Sequence, residues 1–184
     1  DLLRLLTAGS VDDGKSTLLV IGGSQGSVAI NNALRKSLDT LLEKFHIIHL
    51  CGKGNLDDSL KGREGYVQYE YIGEELSDLF ALCDFVLSRA GANALCEFQH
   101  LGRPMLLIPY PKGASRGDQI LNARSLERRG LCHVLMQVDM TPPTLQTAIR
   151  ETWADREKLE QALREAPPAD GTRRVLEMIE EIQR

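Results

Sequence analysis

Apolar runs bounded by turn residues alternate along this chain with longer stretches whose apolar positions recur at helical spacing. That alternation is the pattern of repeated βαβ units on a parallel sheet. It predicts strands near residues 2–7, 18–22, 46–51, 66–71, 84–88, 104–108 and 132–136. Helices are expected near 26–43, 74–82, 92–101, 116–129 and 142–165, with a last one near 171–183. In the helix opening at Val28, the residues Ala29, Ala33, Leu34, Leu38 and Leu41 or Leu42 would face the sheet. Asn31, Arg35, Lys36 and Asp39 fall on the other side. The run Ala166-Pro167-Pro168-Ala169-Asp170-Gly171 breaks the C-terminal helical region, and Asp170 can cap the last helix. Seven strands is one more than a compact doubly wound sheet uses, which singles out the first.

A chain of 184 residues fits one α/β domain with a full core. The net charge of −4 is spread over interspersed acidic and basic residues, so no electrostatic footprint for nucleic acid is visible. Cys51, Cys83, Cys96 and Cys132 lack the paired spacing of a zinc or redox site and read as reduced core residues. No signal peptide and no apolar run of membrane-spanning length is present, so the expected location is cytoplasmic, with any membrane contact peripheral.

Candidate chemistry begins at residues 22–27, GGSQGS, which stand between the apolar run Leu18-Leu19-Val20-Ile21 and the helical pattern from Val28. A strand turning on glycines into a helix aims backbone N–H groups and a positive dipole end at one spot, which suits a phosphate or diphosphate. The plain alternative is that Gly22, Gly23 and Gly26 only make a tight βα turn. Lys53, in CGKGN, stands at a strand end and could face an anionic ligand or simply be solvated. His46, His49, His100 and His133 lie in or beside apolar runs and read as structural.

A second glycine-rich signature precedes the first. Residues 9–16, GSVDDGKS, satisfy the P-loop pattern, in which Gly9 and Gly14 would wrap phosphates, Lys15 would reach the terminal ones and Ser16 would hold Mg²⁺. The stretch DLLRLLTAGSVDDGKSTL at 1–18 resembles the first strand and P-loop of the GTPase subunit of sulfate adenylyltransferase. A working P-loop must open a helix, yet a strand-like run follows Ser16, and neither an NKxD nor a DxPGH-like segment occurs. Residues 1–17 are therefore expected to be a leader, fusion junction or graft with an orphan P-loop. A decorative strand, or a true GTP- or ATP-binding loop using Mg²⁺, is the alternative; otherwise no cofactor is expected.

From residue 18 to the end, six motifs stand in order: LLVIGGSQGS at 18–27, HLCGKGN at 49–55, YEYIGEELSDLF at 69–80, SRAGANALCE at 88–97, GRPMLLIPYP at 102–111 and GDQILNA at 117–123. Together they resemble the C-terminal half of the bacterial N-acetylglucosaminyltransferases that convert lipid I to lipid II in peptidoglycan synthesis. The resemblance implies one Rossmann-like, doubly wound parallel sheet, half of a GT-B glycosyltransferase, over residues 18–184. It implies a UDP-GlcNAc site without a metal. Gly23, Ser24, Gln25 and Gly26 would hold the diphosphate; Ile72 would read the uracil edge through its backbone, with Tyr71 near the ring. Arg89 and Gly91 would approach the ligand at a strand end, Glu97 would accept the ribose hydroxyls, and Asp118 and Gln119 would reach the sugar. Where the family pattern has two glutamines this chain has Asp118 for the first, which leaves the sugar preference open. The lipid-linked acceptor and the general base would belong to an N-terminal domain not found in this sequence. The chain alone is then expected to bind UDP or UDP-GlcNAc weakly, with little turnover, and its parent enzyme to sit on the cytoplasmic face of the membrane. A binding-dead structural chimera is the remaining alternative.

Overall fold

The computed structural model describes residues 13–23, 25–73, 75–111 and 117–166. Six strands form one parallel sheet: β1 (Ser16–Ile21), β2 (Phe45–Leu50), β3 (Tyr66–Tyr69), β4 (Phe85–Ser88), β5 (Met105–Leu107) and β6 (His133–Val134). Their order is β3-β2-β1-β4-β5-β6, the doubly wound order in which direction of winding reverses between β1 and β4. Register runs from Ser16 opposite Phe45 to Ile21 opposite Leu50 on one side of β1, and from Leu18 opposite Phe85 to Ile21 opposite Ser88 on the other. The expected first strand at 2–7 and last helix at 171–183 lie outside the described residues.

Among the described residues seven α-helices cover the sheet: α1 (Val28–Arg35), α2 (Leu38–Leu41), α3 (Leu76–Leu82), α4 (Ala92–His100), α5 (Asp118–Arg128), α6 (Pro142–Ala154) and α7 (Arg156–Glu165). Alternation along the strands divides the core into two layers. Leu18, Val20, Ile47, Phe85, Leu87 and Leu106 pack with Ile30, Leu34, Leu38 and Leu41 from α1 and α2 and with Leu145 and Ile149 from α6. Leu19, Ile48, Val86, Met105 and Leu107 pack on the other face with Leu79, Phe80, Leu95, Phe98, Ala123, Leu126 and Leu163. Trp153 anchors α6 against Phe85 and Phe45, with ring centroids 5.2 and 6.0 Å apart.

Four expectations are corrected. The helix expected over 26–43 is two helices, because Ser37 turns its hydroxyl back to the Ala33 carbonyl and the chain bends there. The helix expected over 142–165 breaks at Asp155, which ends α6 and opens α7 while its carboxylate pairs with His133 at 3.0 Å. Asn31, expected on the solvent face of α1, is buried. Cys51, Cys83 and Cys132 are core residues as expected, but Cys96 is exposed on α4.

The sheet also takes in residues ahead of the expected start of the domain. Ser16 and Thr17 belong to β1, and the Thr17 amide donates to the Asp84 carboxylate at 2.6 Å. Ser16 thus opens a strand rather than a helix, and Gly14, Lys15 and Ser16 stand at the amino end of the sheet. The Lys15 ammonium donates to the Leu42 carbonyl at 2.9 Å. A phosphate loop needs the amides of a following helix, and this segment has a strand in that place. Gly9 lies outside the described residues.

Candidate functional site

At the carboxyl ends of β1 and β4, where the winding reverses, lies a cleft of about 710 Å³. Doubly wound sheets bind ligands at this place because the flanking loops splay to opposite faces there. The turn after β1 contributes Ile21, Gly22, Gly23 and Gln25 to its lining, the end of β4 Ser88, Arg89 and Gly91, and α4 Asn93, Ala94 and Glu97. Leu50, Tyr71, Ile72, Leu76 and Phe80 add an apolar group, and Glu70, Tyr110 and Gln119 also line it.

The glycine turn after β1 is built for close approach. Gly23 and Gly26 have φ of 98° and 76°, and the Gly26 amide donates to the Gly23 carbonyl at 3.0 Å. A Cβ at Gly26 would stand 2.0 Å from the Cys51 carbonyl oxygen, and one at Gly52 would stand 2.3 Å from that of Gln25. The two glycine-rich loops, after β1 and β2, therefore lie backbone on backbone. Ser27 caps α1 by accepting from the Ile30 amide at 3.3 Å. Helix α4 starts at Gly91 without a side-chain cap, leaving its first amides available where Ala92, Asn93 and Ala94 line the cleft.

Arg89 ties this lining together. Its guanidinium donates to Ser27 Oγ and Gln137 Oε1, each at 2.6 Å, and to the carbonyls of Ile108 at 2.9 Å and Pro109 at 3.3 Å. It also lies 4.0 Å from the centre of the Tyr110 ring. All four acceptors are neutral, so a buried cation lines the cleft with no carboxylate bound to it among the described residues. Burial pulls its pKa below the usual arginine range, and Tyr110 acts against that pull. A guanidinium keeps its proton even so, and the uncompensated charge favours an anion in the cleft. The residue expected to touch the ligand is thus mainly engaged with the protein.

Of the other expected residues, Gly23, Gln25, Ile72, Gly91, Glu97 and Gln119 all line this cleft. Glu97 is exposed on α4, free of any ion pair within the described residues. Ile72 is buried, while Tyr71 beside it is 74% exposed. Gln119 accepts from the Tyr110 amide at 3.3 Å. Gly26 supports the turn from behind rather than lining the cleft, and Asp118, at the exposed start of α5, is not among the lining residues. Ser24 lies outside the described residues. Lys53 is exposed and away from the cleft lining. Tyr110 and Glu70 were not singled out from the sequence, although their places just past β5 and β3 put them at the ligand edge. Among the described residues no group of three or more His, Cys, Asp or Glu side chains is placed to hold a metal ion.

A doubly wound sheet in this order, with a glycine turn at its switch point, is the Rossmann-like architecture of nucleotide-binding domains, and here it matches one half of a GT-B glycosyltransferase. Comparison with known proteins gives the family. The profile described as the glycosyltransferase family 28 C-terminal domain matches residues 17–180, and the chain belongs to that family. A Geobacillus kaustophilus protein named UDP-N-acetylglucosamine–N-acetylmuramyl-(pentapeptide) pyrophosphoryl-undecaprenol N-acetylglucosamine transferase is 50% identical over 173 residues, 94% of this chain and 48% of that protein. One of the same name from Lachnospira eligens is 47% identical over 91% of this chain and 47% of its own length. The chain spans about half the length of the curated relatives it matches. The crystal structure of Acinetobacter baumannii MurG superposes with a TM-score of 0.74 at 25% identity, covering 97% of this chain and 52% of that one. The calicheamicin glycosyltransferase CalG4, at 20% identity and a TM-score of 0.66 over 93% of this chain and 43% of its own, shares the fold.

Proposed function

We propose that this domain binds UDP-GlcNAc as the donor half of an N-acetylglucosaminyltransferase of lipid II synthesis. The observation that carries the reading is the buried Arg89 cation, without a carboxylate partner among the described residues, in a cleft bordered by the Gly22–Gly23 turn and the open amino end of α4. A diphosphate leaving group gathers charge as the sugar departs, and preorganised amides with a fixed cation nearby stabilise that charge without a metal. The names of the relatives support this substrate, and the apolar lining at Ile72, Leu76 and Phe80 suits a uracil. Glu97 is the residue for the ribose diol, since one carboxylate can accept from both hydroxyls. Gln119, with Gln25, falls to the sugar and diphosphate side, with Asp118 one residue ahead of it and outside the cleft lining. Acceptor binding and deprotonation of its hydroxyl belong to the other half of the transferase, working at the cytoplasmic face of the membrane. The described residues contain no helix long and apolar enough to cross a bilayer.

Calorimetry with UDP tests this. The chain takes up UDP with EDTA present, and Glu97→Ala weakens binding at least about tenfold through loss of two charge-assisted hydrogen bonds. Equal heats for both proteins would remove Glu97 from the site, and no heat from the parent chain would sink the donor-site reading.

A further inference from the structure

Beneath the glycine turn, three side chains of the core are joined in one hydrogen-bonded line. His49 is completely buried in β2, with Nδ1 2.8 Å from the Tyr66 hydroxyl and Nε2 2.9 Å from Asn31 Oδ1. Asn31 in α1 places its Nδ2 2.9 Å from the Cys51 carbonyl oxygen. That oxygen is the atom a Cβ at Gly26 would strike at 2.0 Å. The line therefore ends at the backbone against which the phosphate-facing turn rests.

Its polarity is set by the last link. A carbonyl oxygen only accepts, so the Asn31 amide nitrogen must point at Cys51 and its oxygen at His49. His49 must then carry its proton on Nε2, leaving Nδ1 to accept from the Tyr66 hydroxyl. The three links all run in one direction, from the Tyr66 hydroxyl to the Cys51 carbonyl, the arrangement in which neighbouring bonds polarise and stiffen one another. An aliphatic side chain at position 49 would fill the core equally well. It would leave Asn31 Oδ1 buried and unpaired, free to rotate away from Cys51.

We infer that His49 and Asn31 are positioning residues that hold the Cys51 carbonyl, and through it the Gly22–Ser27 turn, in the shape that receives the donor's diphosphate. This rests on the UDP reading for its ligand, but the line itself can be tested without one. Long-range ¹H–¹⁵N spectra of the whole 184-residue chain at neutral pH should show His49 protonated on Nε2 and not on Nδ1. A proton on Nδ1 would overturn the assignment. Tyr66→Phe, which removes a single hydroxyl, should shift the backbone amide resonances of Gly26 and Gly52, and unmoved resonances would count equally against it.

Affinity for UDP then separates positioning from mere stability. Asn31→Ala and His49→Phe should each weaken UDP binding about tenfold or more, and the double variant no further than the worse single, since the residues act in series. Ile149→Ala, a buried deletion in α6, should lower the melting temperature while leaving UDP affinity unchanged. Additive losses in the double variant, or an equal loss in Ile149→Ala, would reduce the line to ordinary core structure. Failure of the parent chain to take up UDP would strike the donor reading instead, with the tautomer and the glycine resonances still deciding whether the line exists.

Discussion

Gly23 and Gly26 stand three residues apart in one turn, yet a side chain at each should fail in a different way. At Gly26 an alanine combines a φ of 76° with a Cβ 2.0 Å from the Cys51 carbonyl, and no flexible group can yield. Gly26→Ala should therefore cost about 3 kcal/mol or more in urea unfolding. Gly23→Ala meets nothing within 4 Å and should cost only about 1 kcal/mol of backbone strain, but it narrows the cleft and should weaken UDP binding. His49 makes a third residue-scale prediction. Burial, with Arg35 adding to it, drops its pKa to about 3 from 6.5. The unfolded chain then binds a proton that the folded one refuses, so this contribution is complete above about pH 6.5 and is lost as pH falls toward 3. Unfolding at pH 4.5 should show on the order of 2–3 kcal/mol less stability than at pH 7.5 from this group. His49→Phe should flatten that part of the slope. The motifs brought out Gly23, Gln25, Ile72, Arg89, Gly91, Glu97 and Gln119, which line one cleft. What Arg89 and Asn31 do was hidden, because their partners Ser27, Ile108, Gln137 and Cys51 become neighbours only when the sheet assembles.

At the scale of elements, strand cores were legible because buried parallel strands leave continuous apolar runs, and β1 to β5 fall where those runs stand. Helix breaks were not, since both depend on contacts rather than on a proline or glycine. Ser37 bends the chain through a local hydroxyl bond, and Asp155 does so beside His133, which comes from another element. Helix starts differ in the same way. Thr141 and Thr144 form a reciprocal capping box on an exposed helix start, so Thr141→Ala should cost about 1 kcal/mol by thermal unfolding and leave ligand binding alone. Ser27 caps α1 and also receives the Arg89 guanidinium. Ser27→Ala should cost about two to three times as much, because a bond to a buried charge goes with the cap. It should also weaken UDP binding, because the cap is the last residue of the glycine turn.

Across the whole molecule, the described residues of the two glycine-rich signatures lie at opposite ends of one strand. Residues 22–26 follow the carboxyl end of β1, where the cleft is, whereas Gly14, Lys15 and Ser16 stand at its amino end, with Lys15 bound to the Leu42 carbonyl. A strand of six residues separates them, roughly 20 Å at the usual rise per residue, several ionic contact distances and about two and a half Debye lengths in physiological salt. A phosphate group seated in the cleft therefore gains almost nothing from the Lys15 charge. Lys15→Ala should leave UDP affinity unchanged in calorimetry, and GTP with Mg²⁺ should not displace UDP. The same variant removes a hydrogen bond joining the start of β1 to the end of α2, so a small loss of thermal stability is the effect expected of it. Loss of UDP binding in Lys15→Ala would mean that the amino-end segment reaches the ligand edge, which the parallel register of β1 between β2 and β4 forbids. Strong Mg²⁺-dependent GTP binding abolished by that change would instead make residues 9–16 the nucleotide site and leave the cleft without its assigned ligand.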